Sequence, residues 1–145
     1  MMEAVLTCSA LTKAYGPNKA LDNFTAVFSG GRITGLLGPN GSGKTKLMKL
    51  AAGPQTKARV AYLPERTYLP AGLRVREALE LFCDFYADFS REKAVSMLAD
   101  LKIQPGDKIS AMSKGTREKV QLVLVMSRAA GLYLLDEPIG GVDPA

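Results

Sequence analysis

The segment GLLGPNGSGKTKL, residues 35–47, decides the fold of this 145-residue chain. Within it, GPNGSGKT (38–45) fills every fixed position of the pattern GxxxxGK[ST], directly after an apolar run and directly before a segment with helical spacing. Glycines let successive backbone N–H groups point at phosphate oxygens, and the start of the following helix adds a positive dipole. We therefore predict a phosphate-binding loop, in which Lys44 reaches the β- and γ-phosphates of a nucleotide and the Thr45 hydroxyl coordinates Mg²⁺.

A second motif supplies the carboxylates that a nucleotide hydrolase needs. In LYLLDEP (132–138), four apolar residues lead to the acidic pair Asp136 and Glu137. Ligands of open α/β sheets bind at the carboxyl ends of the strands, so Asp136 is placed to hold the metal. Glu137 is placed to polarise an attacking water. An acidic pair after an apolar run is common by itself, and it becomes a strong indication only together with the glycine loop.

The apolar pattern predicts a β-rich first half. The segments 4–15 and 19–28 read as a hairpin, and ITGLLG (33–38) reads as a buried strand. The helix after the glycine loop places Leu47, Leu50 and Ala51 on one face and stops at Gly53-Pro54. RVAYLP (59–64) reads as another strand.

Three helices and a strand are predicted in the second half. Residues 73–89 form an amphipathic pattern that places Val75, Leu79, Phe82, Phe85, Tyr86 and Phe89 on one face. Ser90 is a plausible N-cap for residues 91–101, in which Val95, Leu98 and Leu101 share a face. A helix over 117–130 precedes the buried strand 131–135, and residues 138–145 read as a loop.

Composition narrows the class of protein. The chain is 47% apolar and 23% charged with a mean hydropathy of +0.03, as in soluble globular proteins. Its apolar runs are far shorter than the ~20 residues that span a bilayer. The N-terminus lacks the basic start of a secretory signal, which favours a cytoplasmic location. The net charge of +5 comes from scattered residues rather than a basic run, so no nucleic acid partner is expected.

Together these motifs resemble the nucleotide-binding domain of ABC-type ATPases. That family carries a signature close to LSGGQ shortly before the strand-end aspartate, and here MSKGT (112–116) stands there, with Ser113 lying 23 residues before Asp136. Ser113 and Gly115 match the signature, whereas Lys114 and Thr116 depart from it, as in a subset of bacterial ABC proteins. The resemblance implies that the signature (Ser113, Lys114 and Gly115) covers ATP bound by a partner domain.

Further positions follow from the same resemblance. Tyr15, 29 residues before Lys44, matches the aromatic residue that stacks on adenine. Glu65 of YLPE stands where the family usually has a glutamine that contacts Mg²⁺, and Asp143 matches the aspartate that faces the partner across the dimer. The implied metal ligands are Thr45, Glu65 and Asp136, and the implied catalytic residue is Glu137. The implied ATP-binding set is Tyr15, Gly38, Pro39, Asn40, Gly41, Ser42, Gly43, Lys44, Thr45 and Lys46.

The predicted fold is α/β: a P-loop NTPase with a mostly parallel core sheet, an N-terminal antiparallel β portion and a helical subdomain. The expected division is 1–72 for the β and P-loop part, 73–116 for the helical subdomain and 117–145 for the return to the core. Only 21 residues separate Lys44 from Glu65, fewer than in similar family members, and no histidine follows Asp143. We therefore expect that the family's C-terminal part is absent and that a polypeptide ending at Ala145 would be nearly inactive.

The function that the resemblance implies is ATP hydrolysis by a subunit that powers an ABC transporter, with ATP and Mg²⁺ as cofactors. The expected partners are a second nucleotide-binding domain and a separate transmembrane permease, which would hold the chain at the cytoplasmic face of the membrane. One alternative is a soluble ABC ATPase that acts on ribosomes or nucleic acid, although such proteins usually have tandem domains or long insertions. Another is a non-hydrolysing nucleotide-binding regulator, against which Glu137 argues.

Overall fold

The computed structural model describes residues 2–39 and 41–137, and the chain divides into two compact units. The N-terminal unit is Met1–Val60 and the C-terminal unit is Ala61–Ala145. The strands are β1 (Ala4–Tyr15), β2 (Asn18–Ser29), β3 (Val60–Leu63) and β4 (Leu132–Leu135). The helices are α1 (Lys44–Ala51), α2 (Val75–Phe85), α3 (Arg91–Asp100) and α4 (Lys114–Met126), with a 3₁₀ turn at Ile109–Ala111.

The N-terminal unit is built on the predicted antiparallel hairpin. β1 pairs with β2 from Ala4 opposite Ser29 to Tyr15 opposite Asn18, and this confirms the N-terminal antiparallel β portion. Helix α1 packs on the hairpin, because its Leu47 is buried together with Cys8 and Leu21. The start of α1 is therefore held against the hairpin by a small apolar core.

The predicted buried strand at 33–38 is wrong for the described structure. This segment has no strand assignment, and Ile33 and Leu37 are almost fully exposed, while Leu36 packs only partly on the hairpin core. A buried strand needs a hydrogen-bonded neighbour along its length. Within the described residues, β1 and β2 pair only with each other, so apolar composition alone does not create a strand here.

Helix α1 ends where the sequence predicted, and residues 52–59 follow it as a series of turns. Leu47 and Ala51 are buried as expected, but Leu50 is exposed, so its assignment to the buried face is wrong. Leu47 joins the hairpin core, and Ala51, four residues later, lies on the same face of the helix.

In the C-terminal unit, β3 and β4 form a two-stranded sheet, and three helices enclose the main core. The sheet continues for one residue past β4, since the backbone N–H of Asp136 donates to the carbonyl oxygen of Leu63 at 3.0 Å. The predicted strands at 59–64 and 131–135 are therefore confirmed. The helical core is formed by Leu69, Val75, Ala78, Leu79, Phe82, Ala94, Leu98, Ile103, Ile109, Val120, Val123 and Leu124.

Helix α2 is shorter than the predicted span 73–89. It ends at Phe85, because Tyr86 adopts an extended conformation. Tyr86 and Phe89 still reach the core from beyond the helix, with ring centroids 5.3 and 5.5 Å from that of Phe82. Phe85 is 62% exposed, so its placement on the buried face is wrong. The chain turns after Phe85, and the later aromatic residues enter the core from another direction.

The N-cap of α3 is confirmed, since the Ser90 hydroxyl accepts a hydrogen bond from the backbone N–H of Lys93 at 3.2 Å. The buried face of this helix consists of Ala94 and Leu98, whereas Val95 and Leu101 are exposed, contrary to the prediction. Ala94 lies four residues before Leu98 and shares its face, and its small side chain lets neighbouring helices approach closely.

Helix α4 begins at Lys114, three residues earlier than the apolar pattern indicated, because Ser113 caps it. Its buried residues include Val120, Val123 and Leu124, which join the helical core. Among residues 2–39 and 41–137, no helix is both long and apolar enough to cross a membrane.

Candidate functional site

The glycine loop of the N-terminal unit needs glycine at specific positions. Gly41 and Gly43 have φ angles of 83° and 97°, in the left-handed region that side chains disfavour. A Cβ atom at Gly43 would collide with the carbonyl oxygen of Ala20, and one at Gly38 would lie 2.7 Å from the Ser42 hydroxyl. The predicted loop is therefore fixed by its own backbone conformation and by the hairpin beneath it.

Lys44 lies against the loop that it follows. Its ammonium donates to the carbonyl oxygen of Gly38 and lies 3.4 Å from that of Pro39, while the backbone N–H of Ser42 donates to Pro39 at 3.1 Å. A bound phosphate would compete with these two carbonyl oxygens for the ammonium. Thr45 is partly buried in the first turn of α1, and Asn40 lies outside the described residues.

The hairpin brings Tyr15 beside the start of α1. The Nζ of Lys46 lies 4.8 Å from the centroid of the Tyr15 ring, and the Nζ of Lys13 lies 5.6 Å from it. The sequence links Tyr15 to the glycine loop only through the family resemblance. The structure places the Tyr15 ring next to Lys46, the residue that follows Thr45. Lys13 was not predicted, although its alternation with Tyr15 along β1 puts both side chains on one face.

These groups suit a nucleoside polyphosphate. Lys13, Lys44 and Lys46 supply positive charge, and the first turn of α1 contains no acidic residue that would oppose its dipole. The half-exposed Tyr15 ring offers a flat surface for a base. Phosphate binding would require the Lys44 ammonium to leave the carbonyl oxygens of Gly38 and Pro39.

The carboxylates occupy the strand ends of the C-terminal unit. Asp136 directly follows β4 and is only 5% exposed, whereas Glu65, two residues beyond β3, is exposed. The pKa of Tyr62 in β3 is raised to about 12, first by burial of its hydroxyl and then by the negative charges of Asp136 and Glu65. Asp136 and Glu65 therefore both act electrostatically on Tyr62.

Two carboxylates at a strand end fit Mg²⁺, which is usually held by one or two carboxylates together with phosphate oxygens and waters. Glu137 is exposed and has a φ of 45°, in the left-handed region that is strained for a glutamate. Such strain concentrates at functional positions, and it turns the chain immediately after Asp136.

The start of α4 carries the signature residues. The Ser113 hydroxyl accepts from the backbone N–H of Thr116 at 3.2 Å and lies 2.9 Å from the Thr116 hydroxyl. Lys114 pairs with Glu118 at 3.8 Å and is largely exposed. A Cβ atom at Gly115 would meet no described atom within 4 Å, so no contact with residues 2–39 or 41–137 requires glycine there. Asp143 lies outside the described residues.

A family model described as ABC transporter matches residues 51–140. An uncharacterised ABC transporter ATP-binding protein of Methanocaldococcus jannaschii is 32% identical over 155 residues, which cover 98% of this chain and 59% of the relative. The zinc import ATP-binding protein ZnuC of Jannaschia is 30% identical over 152 residues, covering 97% of this chain and 62% of the relative. The chain thus spans about 60% of the length of these relatives.

The lipopolysaccharide export system ATP-binding protein LptB of Haemophilus influenzae is 28% identical over 169 residues, covering 97% of this chain and 70% of the relative. Among solved structures, an ATP-binding subunit of an ABC transporter has a TM-score of 0.80 and 26% identity, covering 95% of this chain and 68% of that chain. A dimeric bacterial ABC transporter cassette has a TM-score of 0.78 and 18% identity, covering 94% and 75%. These likenesses confirm the predicted α/β P-loop fold.

Proposed function

We propose that this chain, which belongs to the ABC transporter family, binds ATP with Mg²⁺ and hydrolyses it to power a transporter. The observation that carries the proposal is the glycine loop 38–45, whose left-handed Gly41 and Gly43 precede a helix that begins at Lys44. Backbone N–H groups at such a loop, a helix dipole and a lysine together favour a polyphosphate.

In the N-terminal unit, the loop and Lys44 bind the phosphates, and the adenine stacks on Tyr15. Thr45 contributes its hydroxyl to the metal. Lys46 adds positive charge beside the ring, where its Nζ already lies 4.8 Å from the centroid. Binding at this unit explains affinity for the nucleotide but supplies no base for hydrolysis.

The C-terminal unit supplies the groups for hydrolysis. Asp136 and Glu65 would hold Mg²⁺, and the cation would neutralise phosphate charge when bound. Glu137 accepts a proton from the attacking water, for which its exposed position leaves access. Because Glu65 replaces the neutral glutamine that is usual in the family, this site carries one more negative charge toward the metal.

The signature implies a second nucleotide-binding domain. Ser113 and Gly115 stand at the exposed start of α4, and the open space at Gly115 would admit a phosphate held by a partner. Dimerisation of an ABC cassette is described for one of the similar structures. We assign the transport pathway to a separate permease, which would place this chain at the cytoplasmic face of the membrane.

Glu137→Gln tests the hydrolytic role in a preparation that has measurable ATPase turnover. The amide keeps the shape of the side chain but does not accept a proton, so we expect ATP binding to persist and turnover to fall by about a hundredfold or more. Glu92→Gln, at an exposed position in the first turn of α3, is the matched control and is expected to hydrolyse ATP at the wild-type rate. Wild-type turnover by Glu137→Gln would reject Glu137 as the base.

A further inference from the structure

Gln121 is a buried polar residue of helix α4. It is only 2% exposed, although the same helix supplies the apolar residues Val120, Val123 and Leu124 to the helical core. Burial of a side-chain amide is unfavourable unless the amide forms hydrogen bonds, and a methionine would fill similar space without that cost. The hydrogen bond that Gln121 makes therefore indicates what the amide does at this position.

The partner of Gln121 lies 53 residues earlier in the chain. The Oε1 atom of Gln121 accepts a hydrogen bond from the backbone N–H of Tyr68 at 2.8 Å. The next residue, Leu69, is 6% exposed and belongs to the helical core. The chain is thus attached to the helices at positions 68 and 69, by one hydrogen bond and one buried side chain.

Residues 64–67 connect this attachment to strand β3, and Glu65 lies within the connection. At its other end, the carbonyl oxygen of Leu63 accepts from the backbone N–H of Asp136 at 3.0 Å, so the sheet fixes that end. Residues 64–67 have no helix or strand assignment. Between described residues, the bond to Gln121 is the one hydrogen bond that residues 64–69 make. The position of Glu65 therefore depends on how the attachment at Tyr68 is held.

We propose that Gln121 is a positioning residue of the metal site: it holds Tyr68 on α4 and thereby fixes the connection that presents Glu65 to the cation. This inference rests on the proposed function, because it takes Glu65 as a metal ligand. Residues that support a metal ligand set its orientation and commonly change metal affinity when they are removed. Gln121 acts on the ligand through the backbone of residues 65–68 and does not touch the cation.

Gln121→Met tests the role because methionine keeps an apolar side chain of similar volume and removes the acceptor. The test measures the affinity of a fluorescent ATP analogue as a function of free Mg²⁺, together with the thermal midpoint of unfolding. We expect the Mg²⁺ concentration for half-maximal binding to rise about tenfold. The affinity for the analogue in EDTA should stay at the wild-type value, because that binding does not use Glu65.

Val123→Ala is the matched control. Val123 is 2% exposed in the same helix, and its truncation destabilises the helical core but leaves the acceptor of Tyr68 in place. This variant should have a lower thermal midpoint and an unchanged Mg²⁺ requirement. In a Glu65→Ala background, Gln121→Met should add little to the Mg²⁺ requirement, because both residues act through one ligand. A merely structural role of Gln121 predicts the same increase in both backgrounds, and that result would overturn the inference.

Amide hydrogen exchange at Tyr68 in the wild-type protein tests the role without a substitution. If the bond to Gln121 favours Mg²⁺ binding, bound Mg²⁺ must stabilise the bond by the same factor. Exchange should therefore be about tenfold slower with Mg-ATP than with ATP in EDTA. Equal exchange in both conditions, or a wild-type Mg²⁺ requirement in Gln121→Met, would overturn the positioning role and leave the proposed function in place. Failure of the wild-type protein to bind the analogue at any Mg²⁺ concentration would overturn both.

Discussion

Asp88→Ala should strongly destabilise the C-terminal unit. The carboxylate of Asp88 accepts from Nε and Nη2 of Arg128 at 2.9 and 3.1 Å, and the Arg128 side chain is only 4% exposed. Its guanidinium also stacks on the Tyr86 ring at 3.9 Å. Removal of the Asp88 side chain thus leaves the buried positive charge of Arg128 without its carboxylate partner. Arg128 lies two residues after the end of α4.

The expected cost follows from burial. Removal of one partner of a buried ion pair lowers the free energy of unfolding by about 3–5 kcal/mol. The Asp88 side chain is 21% exposed, so water gains partial access to the guanidinium, and we expect about 2–4 kcal/mol. For a chain of this size that loss lowers the thermal midpoint by roughly 6–12 °C. The backbone bond from Ala129 to Asp88 at 2.9 Å survives the change, so the effect isolates the side chain.

Urea unfolding followed by circular dichroism at 222 nm gives the free energies of a double-mutant cycle. Arg128→Met removes the buried charge, so Asp88→Ala in that background should cost less than in the wild type, with a coupling of about 1–3 kcal/mol. A loss below about 0.5 kcal/mol for Asp88→Ala, the level of ordinary surface substitutions, would refute the reasoning. Strict additivity of the two changes would refute it as well.

Two further outcomes are expected. Gly43→Ala should weaken ATP binding and destabilise the N-terminal unit by more than Gly41→Ala. Each substitution costs about 1–2 kcal/mol because it places an alanine in the left-handed region, but only the Cβ atom at position 43 would also collide with Ala20. Equal losses of ATP affinity in calorimetry and of stability in thermal unfolding would contradict this. Burial raises the pKa of the Cys8 thiol, so a thiol reagent should modify the partly exposed Cys83 first. Cys83→Ser should therefore abolish the fast phase of the modification reaction. A fast phase that persists in this variant would contradict the burial of Cys8.

Local signals predicted most of the elements. The hairpin, α1 and the cap at Ser90 follow from turn residues, the glycine loop and a hydroxyl side chain, which act within a few residues. Where burial depends on distant neighbours, the sequence pattern was wrong. Phe85 and Val95 have apolar side chains at helical spacing, yet the helices that pack on α2 and α3 cover other faces.

The same distinction applies to the candidate site. The glycine loop could be predicted because its backbone conformation is encoded by adjacent glycines, and the structure shows left-handed Gly41 and Gly43 there. The pairing of Asp136 with Leu63 could not be predicted, since it depends on which strands lie next to each other. The roles assigned to Glu65, Glu137 and the signature remain proposals, and Glu137→Gln tests one of them.

The most direct test of the central claim is isothermal titration calorimetry of Mg-ATP binding to the wild-type protein and to Lys44→Ala. Lys49→Ala is the matched control, since Lys49 lies exposed in the last turn of the same helix. We predict that the wild type and Lys49→Ala bind with similar affinity. Lys44→Ala should lose about 2–3 kcal/mol, the value of a hydrogen bond to a charged group in a partly desolvated site. Equal affinity of the wild type and Lys44→Ala, or no binding by the wild type, would contradict the claim that this loop holds ATP.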